Sequence, residues 1–167
     1  MKAALELFAR EGFAATSTSR IAKHAGVSEG LIFRHFKNKN GLLEAILAEG
    51  EKKIKLVFAD VVMESEPKEL IRKVLNMSDL MLVSQEDYVF WKLQYKIKWE
   101  IEVYGEHKME AIQMALSNAF RKLGYDNPDQ EAEFLLVILD GIATRLFLQD
   151  GFDPEGIIDL LHKKYEV

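Results

Sequence analysis

Apolar side chains recur at three- and four-residue intervals along most of this chain. The runs are broken by Gly, Pro, Ser or Asn at regular distances. That spacing puts the apolar positions on one face of successive helices. It predicts segments at 3–13, 17–26, 28–36, 39–63, 67–83, 84–105, 106–123, 128–149 and 153–165. No stretch alternates with the period of a strand, and none repeats. The fold class expected is all-α, with about nine helices. Pro128 and Pro154 stand at first-turn positions, where a missing N–H costs nothing. Gly50 falls inside the fourth segment, where it costs about 1 kcal/mol relative to Ala.

The most informative stretch runs from Ser17 to Phe36. Ser17 and Thr18 can accept from the open amides of a first turn. Ile21, Ala22 and Ala25 follow on one face. Gly26 ends that helix in the left-handed conformation that glycine takes cheaply. Val27 is expected to plug the corner. Ser28 caps a second helix with Leu31, Ile32 and Phe36 inward. Helix, short turn with Gly, and helix is the helix-turn-helix pattern, whose second helix enters the major groove of DNA.

Three stretches carry a resemblance: AALELFAREGF (3–13), TSTSRIAKHAGVS (16–28) and GLIFRHFKNKNGLL (30–43). In unbroken order they resemble the N-terminal domain of the TetR family of bacterial transcriptional regulators. The fragment VILDGIATRL (137–146) is similar to that family's dimerising helix. The resemblance implies a helix-turn-helix DNA-binding domain over 1–44 and a helical effector-binding and dimerisation domain over 45–167. It implies a homodimer on double-stranded operator DNA, acting as a repressor under control of a small-molecule effector. The first helix is one or two turns shorter than is usual in the family, which reads as a shortened start.

Site chemistry follows residue by residue. Ser17 and Thr18, at a helix start, suit a phosphate, because hydroxyls and open amides both favour an anion. Ser28, Glu29, Gly30, Leu31, Arg34 and His35 are the candidates for the groove-facing side. Gly30 allows close approach, Arg34 can pair with guanine O6 and N7, and His35 can donate to a base or phosphate. Lys39 matches the family's phosphate-binding lysine. Phe33 stands where the family usually has Tyr, which removes a hydroxyl. Glu29 stands where a basic residue is common; it would weaken phosphate attraction or read a cytosine amine.

Net charge is −5, which argues against DNA until it is divided. Residues 1–44 hold seven Lys and Arg against four acidic side chains, and the remainder holds fifteen against twenty-three. A basic head on an acidic body docks on phosphate through one face. There is no cysteine, hence no disulfide and no thiolate metal site. FLLVIL (134–139) is the longest apolar run, far below the ~20 residues of a membrane span. No secretory leader follows Met1, so a cytoplasmic protein is expected. No GxxxxGK, HExxH or GxSxG motif occurs, so neither an enzyme nor a cofactor is expected. His107 among Glu102, Glu106 and Glu110 reads as a solvated acidic face rather than a metal site.

The body holds an aromatic stripe: Tyr88, Trp91, Tyr95 and Trp99. Met and aromatic stripes at helical spacing are usually core. With the family in mind, Met77, Met81, Tyr88, Trp91, Tyr95, Trp99 and Met114 are the candidates to line an apolar or aromatic effector site. The segment 128–149 is apolar nearly all round and must be covered on both faces. Leu135, Ile138, Ile142 and Leu146, with Ile158 and Leu161 of the last helix, are the expected dimer interface. The alternative is a helical interaction or ligand-carrier module that has lost DNA binding.

Overall fold

The computed structural model describes residues 1–100 and 106–167, apart from the side chains of 53, 54, 80, 81 and 106–108. Among them there is no strand and there are ten helices. In chain order they are α1 (Lys2–Glu11), α2 (Thr18–Ala25), α3 (Glu29–Phe36), α4 (Lys39–Val62), α5 (Pro67–Leu75), α6 (Met77–Met81), α7 (Gln85–Glu100), α8 (Glu106–Lys122), α9 (Pro128–Leu148) and α10 (Glu155–Tyr165). The tenth arises because the segment expected as one helix over 67–83 breaks at Asn76, giving α5 and α6.

The helix starts follow the capping chemistry read from the sequence. Ser17 Oγ accepts from the Arg20 amide, Ser28 Oγ from that of Leu31, and Asn38 Oδ1 from that of Gly41 at 2.8 Å. Ser84 caps α7 by accepting from Asp87 N, and its hydroxyl donates to the same residue's carboxylate at 2.6 Å. Asn127 precedes Pro128 without a side-chain cap bond. Gly26 closes α2 at φ 68°, and the amide of Val27 reaches back to the Ala22 carbonyl.

By packing, the described chain forms two compact units: Met1–Ile54 with Ser84–Val103, and Lys55–Val83 with Tyr104–Val167. The first has its own core of Leu5, Leu7, Phe8, Ile21, Ile32, Leu42, Ile46, Phe90, Leu93 and Ile97. In it α1 is the central element, with Ala4, Leu5, Leu7, Phe8 and Ala9 all buried, and α7 packs on it. Gly50 has a definite role here: a Cβ on it would run into the ring of Phe90. The glycine lets α7 seat an aromatic ring on α4, which a side chain would forbid. The second unit is built on Leu70, Ile71, Val74, Leu75, Ile112, Leu116, Phe120, Leu135 and Tyr165. Packing draws these boundaries on other grounds than the functional division expected at residue 44.

Candidate nucleic-acid interface

Two of the inward assignments around the corner are corrected. Val27 is 39% exposed and plugs nothing; its amide, through the glycine cap, makes the turn. Ala25 is exposed too. Ile32 carries the buried side of α3, with Phe36 half-buried against the same core.

On the other side of α3, Gly30, Phe33 and Arg34 share one face by helical spacing, the C-cap residue Lys37 follows, and all four are exposed. Phe33 leaves 46% of its surface in solvent. His35 is exposed beside that face, and Leu31 is half-buried. The N-termini of α2 and α3 are joined: Thr18 Oγ1 donates to Glu29 Oε1 at 2.5 Å. Glu29 is therefore engaged with the first turn of α2, and its carboxylate orients the two helix starts toward each other. Ser17 and Ser28 remain exposed at those starts.

Around this surface the charges are tied down. Glu11 takes both guanidinium nitrogens of Arg20, at 2.8 and 2.9 Å, and also binds Arg10. These contacts, the Arg10 hydrogen bond first, hold its carboxyl below the usual value. Lys39 differs from the other candidates. Its Nζ donates to the carbonyls of Phe13 and Thr16 at 2.8 and 3.0 Å, with Ala14 O at 3.5 Å, and lies over the Phe13 ring. Its ammonium faces the α1–α2 loop. Sequence reasoning missed this, and it also missed Lys96 and Glu100 of α7, which bind the same region. No local signal marks them, because their partners lie 86 or 87 residues away.

The expected effector residues fall on α6, α7 and α8. Tyr88, Trp91 and Tyr95 are half-buried on α7, and Trp99 is 58% exposed. Met77 is part of the second unit's core, and Met114 is 68% exposed on α8. The side chain of Met81 lies outside the described residues, as do Glu102 and the side chains of Glu106 and His107. Among the described residues no cluster of three metal-ligating side chains forms. The Gln94 amide nitrogen, on α7, is buried with no hydrogen-bond partner among the described residues.

The expected dimer set divides by burial within the single chain. Leu135, Ile142 and Leu161 are buried in their own unit's core, while Ile138, Leu146 and Ile158 are half-buried. The apolar side chains that reach solvent are Phe134, Val137 and Leu148 on α9 and Leu160 on α10, with Val137 64% exposed. Among the described residues no helix is long and apolar enough to cross a membrane.

Residues 1–46 match the model of bacterial regulatory proteins of the tetR family. An uncharacterized HTH-type transcriptional regulator, YvkB of Bacillus subtilis, is 51% identical over 49 residues, 29% of this chain and 26% of that protein. The first curated relatives are matched over only about a quarter to two fifths of their length. The fatty acid metabolism regulator protein of B. subtilis is 33% identical over 157 residues, 93% of this chain and 69% of that protein. A putative transcriptional regulator from Saccharomonospora viridis, solved with choline, superposes with a TM-score of 0.73 at 20% identity. That match covers 99% of this chain and 92% of the other, and shows the shared fold.

Proposed function

Because the chain belongs to the TetR family of bacterial regulatory proteins, we propose that this transcriptional regulator is a ligand-responsive repressor binding operator DNA as a homodimer. The observation that carries the reading is the exposed face of α3. Gly30, Phe33, Arg34 and Lys37 stand out to solvent beside two Ser-capped helix starts. Open amides and hydroxyls there suit phosphate, and Arg34 suits a guanine edge. Residues 1–44 act as the DNA-binding head, and 45–167 supply effector binding and dimerisation. Repression is the simplest output of a protein whose only act on DNA is to cover it.

A mobility shift on the DNA flanking the protein's own gene tests this. The protein retards a specific fragment in the presence of competitor DNA, and binding falls steeply with salt. No retardation at any salt would favour the helical ligand-carrier alternative.

The effector reading centres on α7. Its half-buried Tyr88, Trp91 and Tyr95 and the unpartnered amide of Gln94 suit an apolar or aromatic molecule with a hydrogen-bond acceptor. Aromatic faces also tolerate a cation. The fatty-acid regulator and the choline complex among the similar proteins support that chemical range. A ligand that quenches tryptophan fluorescence should weaken operator binding, and operator DNA must weaken the ligand by the same factor. Quenching without any change at the operator would separate the site from the switch.

The second copy would cover Phe134, Val137, Leu148 and Leu160, the exposed apolar side chains of α9 and α10. A two-fold axis there repeats one recognition helix at two half-sites.

A further inference from the structure

The loop between α1 and α2 is gripped from both sides by groups distant in sequence. Lys39 takes its carbonyls. Glu100, the last residue of α7, takes its amides: Phe13 N and Ala14 N both donate to Glu100 Oε2, at 3.0 and 3.2 Å. One turn earlier on α7, Lys96 Nζ donates to the Arg10 carbonyl at 2.9 Å, at the C-terminal end of α1. An ammonium suits open carbonyls at the negative end of a helix, and a carboxylate suits loop amides. Gly12 makes the seat possible. It has φ 96°, and a Cβ there would lie 2.7 Å from Glu100 Oε1. Buried Thr16 closes the loop internally, its Oγ1 donating to the Gly12 carbonyl at 2.7 Å. The next residue is Ser17, the cap of α2.

We propose that Glu100 and Lys96 are positioning residues for DNA binding: α7, the helix with the aromatic stripe, sets the α1–α2 loop and through it the phosphate-facing start of α2. This rests on the operator-binding reading above. The contacts are solvent-accessible, so each adds little to global stability and each can break and re-form. That is the property a positioning contact needs, as distinct from a core contact. A small rotation at the end of α7, next to Trp99, moves the carboxylate away from two amides at once and frees the loop before Ser17.

The test measures amide hydrogen exchange and operator affinity on the full chain, for the parent, Glu100→Ala, Glu100→Gln and Lys96→Met. Glu100→Ala should speed exchange at Phe13 and Ala14 and weaken operator binding by roughly five- to a hundredfold, the range of typical coupling between sites. The unfolding midpoint should stay close to the parent's. Glu100→Gln keeps an acceptor oxygen and should recover most of the affinity, which a role through charge at the DNA alone would not allow. Lys96→Met should weaken operator binding without altering exchange at Phe13 and Ala14. If the parent binds operator and Glu100→Ala binds it equally well, the inference is overturned by itself. If the parent binds no DNA, the operator reading fails, and the inference falls with it.

Discussion

The Lys39 ammonium lies 2.8 Å from the carbonyl oxygen of Phe13 and 4.3 Å from the centre of that residue's ring. One side chain thus caps a loop carbonyl and covers its aromatic neighbour. Lys39→Ala would leave the carbonyls of Phe13 and Thr16 without this donor, at a cost of about 1–3 kcal/mol. In a chain of this size that is several degrees of unfolding midpoint, about 2–4 °C per kcal/mol. Calorimetry should show that loss. An unchanged midpoint, with only the salt slope of DNA binding reduced by about one, would point instead to the phosphate role that the family resemblance implies.

Among the described residues, Arg34 makes no such internal contact. Arg34→Ala should relax base preference at one position in each half-site and cost about 1–3 kcal/mol there. Phe33→Tyr should tighten all sequences alike, because a hydroxyl on the exposed ring gains a phosphate partner without reading a base. Affinities measured over a set of single-base operator variants separate the two effects. A uniform loss for Arg34→Ala would make it a phosphate contact instead.

The two apolar faces of α9 should respond differently to a carboxylate. Val137→Glu places the charge on the solvent face and should give a folded monomer. Ile142→Glu buries a charge without a partner in the core and should unfold the second unit. Sedimentation and circular dichroism distinguish these outcomes. A Val137→Glu variant that stays dimeric at micromolar concentration would place the interface elsewhere.

Acid should loosen the helix-turn-helix head. The hydrogen bond from Arg10, with the charge of Arg20 and against desolvation, holds the Glu11 carboxyl below its ordinary value. The folded state therefore binds fewer protons than the unfolded state through that range. The contribution to stability is complete above the unfolded value and is lost as pH falls through the folded one. Glu11→Gln should be less stable than the parent at about pH 7, and the gap should close well below pH ~4. A gap that stays constant down to about pH 3 would mean that the carboxylate's charge is not what the Arg20 contact uses.

The local rules carried far in this chain because they are local. Ser17 and Ser28 cap the helices whose starts they mark, since a hydroxyl and an amide three residues on need nothing from the rest of the fold. Gly26 turns where a left-handed residue is needed. The head, with its exposed Arg34 and His35, was legible for the same reason: its chemistry lies within one run of residues. Spacing alone also placed Leu135 and Ile142 on an apolar helix, but it could not say which of two apolar faces a helix turns inward. That choice depends on what packs opposite, and the second unit's core took both residues, leaving Val137 outside.

Sequence by itself determined the all-α class, the caps and the helix-turn-helix, because periodicity and capping act over a few residues. Tertiary structure decided what Gly50, Lys39 and Glu100 touch. Gly50 read as a helix defect until Phe90 was found lying against it. The Lys39 ammonium meets the Phe13 and Thr16 carbonyls, contacts that its place in the motif does not announce. Glu100 read as nothing, because the amides it holds are 86 and 87 residues away. A partner's identity is set by where the backbone returns, and no window along the chain contains that information.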